Sequence, residues 1–292
     1  MHLNQFGRWK PAVCAALFVV GVHSTNAQTP PAEVGVVTDP CTVLAPMPSS
    51  VSNFLATRAK AEAAKEAPPT PSPEDLQIYE AWQAKRLTQD FGGLCRYSSD
   101  NASLPPASPH RVVYFGDSIT ELWAARDPGM FTNDTLDRGI SGQTTSQMLL
   151  RFRADVIDLK PKAVHILAGT NDVAGNTGPT TLQAIKNNIM AMVELAQSHH
   201  VAVVLGSILP AGKFGWRPSI QPVESIRALN EWLKAYAAEH HVSYADYYDA
   251  MKDDHAALKG NLGDDGVHPN AQGYALMRPI AEKAVSKALA AH

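Results

Sequence analysis

The chain has 292 residues, 45% of them hydrophobic and 18% charged, which fits a soluble globular protein with one main domain and an extension. Its formal charge of −3 and its lack of a long basic run exclude nucleic acid from the expected partners.

The first stretch reads as a targeting signal. Arg8 and Lys10 form a basic start, and Ala12 to Val22 is an apolar run too short to span a bilayer comfortably. Thr25-Asn26-Ala27 then offers a small residue at the cut. Residues 1–27 are expected to be a secretory signal peptide cleaved after Ala27. The protein would then be exported, periplasmic or secreted, with no stable membrane anchor once the signal is gone. An uncleaved anchor helix is the other reading. Cys14 leaves with the signal, and Cys41 and Cys95 remain. An oxidising compartment lets such a pair form a disulfide, whereas two cysteines without nearby histidines make a poor metal site.

Residues 28–48, rich in Pro, Thr, Val and Ala, read as a linker, and residues 50–66 contain strong helix formers. Pro68, Pro69, Pro71 and Pro73 break the chain, and Ser72-Pro73-Glu74-Asp75 starts a second helix with a capping serine. Leu76, Ile78, Tyr79, Trp82 and Leu87 give that helix a broad apolar face, expected to pack on the main domain, and Gly92-Gly93 ends it. If the two helices fold back on each other, Cys41 and Cys95 approach disulfide range, with Cα atoms about 4.4–6.8 Å apart. Residues 98–109 are polar and Pro-rich and mark a boundary. The expected organisation is therefore a linker and helical extension over 28–109 and a main domain over 110–292.

From Arg111 the pattern alternates strands with helices. The segments 111–116, 163–169 and 201–207 are short apolar runs, and 135–139 and 242–247 are weaker strand candidates. Leu182, Ile185, Ile189, Met192, Val193 and Ala196 share one helical face, as do Met277, Ala281, Ala284, Val285 and Ala288. Such alternation implies an α/β fold with a mostly parallel sheet covered on both faces. Active sites of these sheets lie at the carboxyl ends of the strands. Gly116-Asp117-Ser118, the Gly139–Thr144 stretch, Gly169-Thr170-Asn171-Asp172 and the segment 264–270 would all converge there.

Those turns hold the parts of an acyl-transfer site. Ser118, at a strand-to-helix turn, could be a nucleophile, although a serine there is more often a helix cap. An imidazole can take a proton and return it, so His268 could serve as its base, and Asp265, three residues earlier, could hold one tautomer of the ring. Asp264 competes for that role at a spacing one residue longer. The backbone N–H groups of Ser118 and Gly142 and the side-chain amide of Asn171 could stabilise an oxyanion. Taken singly, a surface turn or a loop cap explains each of these residues as well. His199-His200 and His240-His241 read as structural residues at helix ends.

In order along the chain, Gly116-Asp117-Ser118, Ser141-Gly142, Gly169-Thr170-Asn171-Asp172 and Asp265-Gly266-Val267-His268-Pro269 resemble the blocks of the SGNH (GDSL) hydrolase superfamily over residues 110–290. The stretch GISGQTT and the motif GTND look closest to its bacterial lysophospholipase-like and acetylesterase-like branch. The resemblance implies a three-layer flavodoxin-like parallel sheet with helices on both faces, and neither metal nor cofactor. It makes Ser118 the nucleophile, Asp265 and His268 the acid and base, and Ser118, Gly142 and Asn171 the oxyanion hole. The extension lies outside the superfamily's pattern, so nothing carries over to it. The alternative α/β-hydrolase architecture would need a G-x-S-x-G elbow, which is missing.

The expected activity is serine esterase chemistry on short-chain acyl or acetyl esters, of a small molecule or a carbohydrate. The alternatives are a lysophospholipase or thioesterase on longer chains, and a non-catalytic carbohydrate-binding module of the same fold. Trp123, Phe214, Trp216 and Arg217 are candidate substrate contacts, although core packing suits the aromatics equally well. Asp117 and Asp172 are expected to make hydrogen bonds behind the site. The oligomeric state stays open.

Overall fold

The apolar runs become strands because both of their faces are covered. The computed structural model describes residues 35–63 and 69–291. The expected signal peptide, the first seven residues of the linker and the end of the first helix fall outside the described residues. Strands β1 (Val112–Gly116), β2 (Thr135–Gly139), β3 (Ala163–Leu167), β4 (Ala202–Gly206) and β5 (Ser243–Ala245) pair in parallel in the order β2-β1-β3-β4-β5. Every residue of β1, β3 and β4 is buried, as a parallel sheet between two helical layers requires. The flanks are the polar β2 and the three-residue β5.

Alternation along β1 divides the core in two. Val113 and Phe115 join one apolar cluster, and Val112 and Tyr114 join the other. In chain order the helices are α1 (Ser49–Ala63), α2 (Pro73–Gln89), α3 (Ser98–Ser103), α4 (Ser118–Arg126), α5 (Thr145–Asp155), α6 (Thr170–Val173), α7 (Leu182–Ser198), α8 (Val223–Glu239), α9 (Tyr247–Met251) and α10 (Ala271–Ala290). Residues of α5, α7 and α8 supply the first cluster, and residues of α4 and α10 supply the second. The three-layer flavodoxin-like architecture is therefore the one observed. The chain leaves β1 for β2 on one side and returns to β3 on the other, so a crevice opens at the carboxyl ends of β1 and β3.

Pro40–His292 form one unit, so the described part of residues 40–109 belongs with the sheet. Ser72 caps α2 as expected, its hydroxyl accepting the Asp75 N–H at 3.0 Å. Cys41 and Cys95 are joined, with Cα atoms 5.3 Å apart. The apolar face of α2 is not what holds the extension. Of its residues only Trp82 is buried, donating from Nε1 to the Ala45 carbonyl, while Leu76 and Leu87 stay exposed. The loop after α2 makes the attachment instead. Gln143 Nε2 donates to the Gly92 carbonyl and Gln147 Nε2 to the Phe91 carbonyl, both at 2.9 Å, and the Tyr97 hydroxyl donates to the Gly139 carbonyl at 2.5 Å. The stretch read as a boundary contains α3, whose Asn101 donates to Asp155 at 2.7 Å and accepts from Arg138 at 2.8 Å. These partners are far away in sequence, so local composition carried no trace of them.

Candidate active site

The helix α4 starts at Ser118, but Asp117 is the residue that caps it. Asp117 Oδ1 accepts the Ile119 N–H at 2.9 Å, which leaves the Ser118 hydroxyl available for other work. Gly116 before it leaves no room for a side chain, since a Cβ would meet Thr120 Oγ1 at 2.0 Å and the Leu167 carbonyl at 2.8 Å. The turn can therefore fold α4 tightly against the sheet.

Ser118 Oγ lies 2.9 Å from His268 Nε2, and His268 Nδ1 lies 2.7 Å from Asp265 Oδ2. Asp265 Oδ1 also accepts the backbone N–H groups of His268 at 2.8 Å and Val267 at 3.0 Å. Burial pushes the Asp265 carboxyl up, but the His268 ring and these two N–H groups hold it well below the usual carboxylate range. The competing Asp264 points elsewhere and pairs with Arg126 at 3.2 Å. Arg126 also donates to the Pro269 carbonyl. The helix that begins with Ser118 thus grips the His268 loop with its last arginine.

Across from this loop lies a wall of polar groups. Gly142 has φ +80°, a left-handed conformation that favours glycine. The space beside it is open, since a Cβ there would meet only Asn176 Nδ2, at 4.0 Å, so conformation rather than crowding explains the glycine. Among the described residues, neither the Ser118 nor the Gly142 N–H has an acceptor. Asn171 Nδ2 donates to Asp117 Oδ2 at 3.2 Å and to the Gln143 carbonyl at 3.0 Å. Both of its hydrogens are therefore engaged in the resting geometry. Asp172 accepts from the Thr145 N–H at 2.9 Å and its hydroxyl at 2.6 Å, anchoring the start of α5. Burial pushes the Asp117 carboxyl up to about 6, against the pull of the Ile119 N–H, and raises Asp172 against its bonds to Thr145.

Two expected substrate contacts are corrected. Trp123 is wholly buried among Tyr114, Phe131 and Tyr274, and Phe214 is wholly buried as well. Both belong to the cores on the two faces of the sheet. Trp216 is 42% exposed, stands on Phe214, and places its ring centroid 6.3 Å from that of His268. Arg217 is exposed, and among the described residues no side-chain bond ties it to the site.

Sequence reasoning passed over two residues here. Arg151 is fully buried and donates to Gln143 Oε1 at 2.5 Å and to the Arg138 and Gly116 carbonyls, each at 2.9 Å, while pairing with Asp155 at 3.0 Å. It ties the ends of β1 and β2 to the Gly142 loop. Asn176 bonds to Asn171, Gly142 and Trp216. The only signal for Asn176 was its position in the loop that follows GTND; Arg151 carried none.

A nucleophile in reach of a base, a base in reach of a carboxylate, and unpaired N–H groups nearby can together carry acyl transfer. Comparison with known proteins agrees. Residues 114–276 match the GDSL-like Lipase/Acylhydrolase family. A candidate acylhydrolase structure from Bacteroides fragilis is 44% identical with a TM-score of 0.67, covering 68% of this chain and 99% of its own. A GDSL-like lipase from Bacteroides thetaiotaomicron is 43% identical with a TM-score of 0.66 and the same coverage of 68% and 99%. The uncharacterized lipoprotein YqeF of Bacillus subtilis is 35% identical over 117 residues, 34% of this chain, and the chain spans about half of its length, 48%. The matched segment runs from β1 into α10 and takes in Ser118, Gly142, Asn171, Asp265 and His268. With more than half of its length matched in this way, the chain belongs to the GDSL-like lipase/acylhydrolase family.

Proposed function

We propose that the protein is an exported serine esterase that hydrolyses carboxylic esters with short acyl groups, acetyl among them. The observation that carries this reading is the hydrogen-bonded series from Ser118 through His268 to Asp265, at 2.9 and 2.7 Å. Ser118 Oγ attacks the acyl carbon while its proton passes to His268 Nε2. The bond to the alcohol oxygen then breaks, and His268 returns the proton to that oxygen. Water attacks the resulting acyl-enzyme with His268 again as base, releasing the acid and restoring Ser118. Asp265 holds the Nδ1–H tautomer and stabilises the imidazolium. The N–H groups of Ser118 and Gly142 and Nδ2 of Asn171 receive the oxyanion. For Asn171 the long bond to Asp117, 3.2 Å, is the one shared or released.

The burial of Trp123 and Phe214 supports short acyl groups, because neither is available to line a longer channel. Trp216 stands beside His268, where the leaving alcohol is protonated, and suits the alcohol portion of a small-molecule or carbohydrate ester. Within this reading, residues 1–27 are a cleaved signal, 28–109 the extension pinned by Cys41–Cys95, and 110–292 the catalytic domain. The lipoprotein name of the Bacillus subtilis relative agrees with export.

The test is a panel of p-nitrophenyl esters, from acetyl to beyond about ten carbons, with fluorophosphonate labelling of the mature protein. Acetyl and butyryl esters are expected to react fastest, since each further methylene needs burial worth about 0.8 kcal/mol to contribute. Label is expected on Ser118 alone, and Ser118→Ala should lose several orders of magnitude in turnover. Substantial hydrolysis by well-folded Ser118→Ala would overturn the mechanism. A kcat/KM that climbs steadily with chain length would favour the lysophospholipase or thioesterase reading. No hydrolysis of any ester would favour the binding module.

A further inference from the structure

The side-chain amide of Asn176 has two hydrogens and one oxygen, and all are used by different segments. Nδ2 donates to Asn171 Oδ1 at 2.7 Å and to the Gly142 carbonyl at 3.3 Å. Oδ1 accepts the indole N–H of Trp216 at 3.0 Å. The backbone N–H of Asn176 donates to the Asn171 carbonyl at 3.0 Å, which closes the turn after α6 and fixes the spacing of the two asparagines. One half-buried amide thus joins the loops that follow β2, β3 and β4.

This arrangement, with the Gln143 carbonyl on the opposite side, sets which way the Asn171 amide faces. The two ends of an amide are nearly equal in size, and their partners alone distinguish them. A donor presented at 2.7 Å demands oxygen on that side of Asn171. The NH₂ is then turned toward Asp117 and Gln143, next to Ser118. In the opposite orientation the carbonyl oxygen would face the developing oxyanion and repel it. The same Asn176 amide seats the exposed Trp216 ring beside His268.

We propose that Asn176 is a positioning residue for the reaction: it fixes the donor orientation of Asn171 and holds Trp216 against the leaving-group side. The inference rests on the esterase reading above. Its two links can be cut separately. Asn176→Asp keeps an acceptor for Trp216 but faces Asn171 Oδ1 with a carboxylate oxygen. Trp216→Phe removes the indole N–H and leaves the Asn171 link in place.

The experiment measures kcat and KM of the full mature protein on p-nitrophenyl acetate, with fluorophosphonate titration to count functional sites and thermal melting to check folding. Asn176→Asp is expected to lower kcat at least about tenfold with KM little changed, because the lost interaction acts on transition-state charge. The double variant Asn171→Ala with Asn176→Asp should be no slower than Asn171→Ala alone, since one residue acts through the other. Trp216→Phe should raise KM and leave kcat within about twofold. Asn176→Ala, a truncation of a half-buried side chain, repeats the kcat test if Asn176→Asp does not fold. A normal kcat in a folded Asn176 variant of an active parent would overturn the proposal, as would multiplying losses in the double variant. An inactive, unlabelled parent would instead sink the esterase reading itself.

Discussion

The two walls of the candidate site are built by opposite means. On one side, Gln143, Thr144, Asn171 and Asp172 are each no more than 6% exposed, with the fully buried Arg151 behind them. On the other, the Asp265 side chain is 52% exposed and that of His268 20%. Oxyanion donors act through fixed position, so a dry network of buried hydrogen bonds behind them suits them. A general base has to exchange protons with substrate and water, so it belongs nearer solvent. The exposed wall takes its precision from a short turn, with Asp265 bonding His268 through both ring and backbone, and from the grip of Arg126. The buried wall takes its own from partners spread over the chain, from Gly92 to Asn176.

The largest effects should come from removing groups that take part in chemistry. His268→Ala is expected to lower kcat about 10⁴-fold, because among the described residues His268 is the base bonded to the Ser118 hydroxyl. Asn171→Ala, on the buried wall, should cost about 10²–10³ in kcat with KM nearly constant. Steady-state kinetics on one short ester checks both. A rise in KM at constant kcat would make Asn171 a ground-state contact and remove it from the oxyanion hole.

Stability should split the walls the other way. Arg151→Met strips the buried wall of its organising cation and leaves Asp155 buried without its ion partner. The expected cost is about 3–5 kcal/mol, measured by urea unfolding. Substitutions of the exposed Asp264 should fall within about 0.5 kcal/mol, as surface ion pairs usually do.

The response to pH distinguishes the walls by its sign. Asp117, pushed up to about 6 by burial, keeps its proton above the pH at which an unfolded aspartate loses one. The native state then binds more protons, so stability falls as pH rises from about 4 through about 6, by at most about 3 kcal/mol. Asp137, raised to about 7 by burial, acts in the same direction. Asp265 is held low, so its contribution is present above about pH 4 and is lost only as the medium becomes more acidic. Melting temperatures between pH 4 and 7 should show a shallower decline in Asp117→Asn than in the parent. An unchanged slope would mean that this carboxyl is not ionising in that window.

Much of the scaffold was legible in the sequence. The runs at 111–116, 163–169 and 201–207 correspond to β1, β3 and β4, each within two residues at either end. Ser72 announced its own cap, and the polar turns after β1, β2 and β3 do meet at one end of the sheet. Less was legible of what surrounds the site. Trp123, Phe214 and Trp216 looked alike as candidates, yet only Trp216 is exposed beside His268. Ser118 had the look of a cap, but Asp117 takes that role.

The sequence by itself determined the period of the elements, the parallel α/β class and the residue types that chemistry would need, because these depend on neighbours a few positions apart. Only the tertiary structure decided that Arg151 would be buried under Gly116 and Gln143, that the loop at Gly92 rather than the face of α2 would hold the extension, and that Asn176 would reach Asn171, Gly142 and Trp216 together. Burial and hydrogen-bond partnership depend on which distant segment arrives to cover a residue, and that is settled by the packing of the whole sheet and its helices.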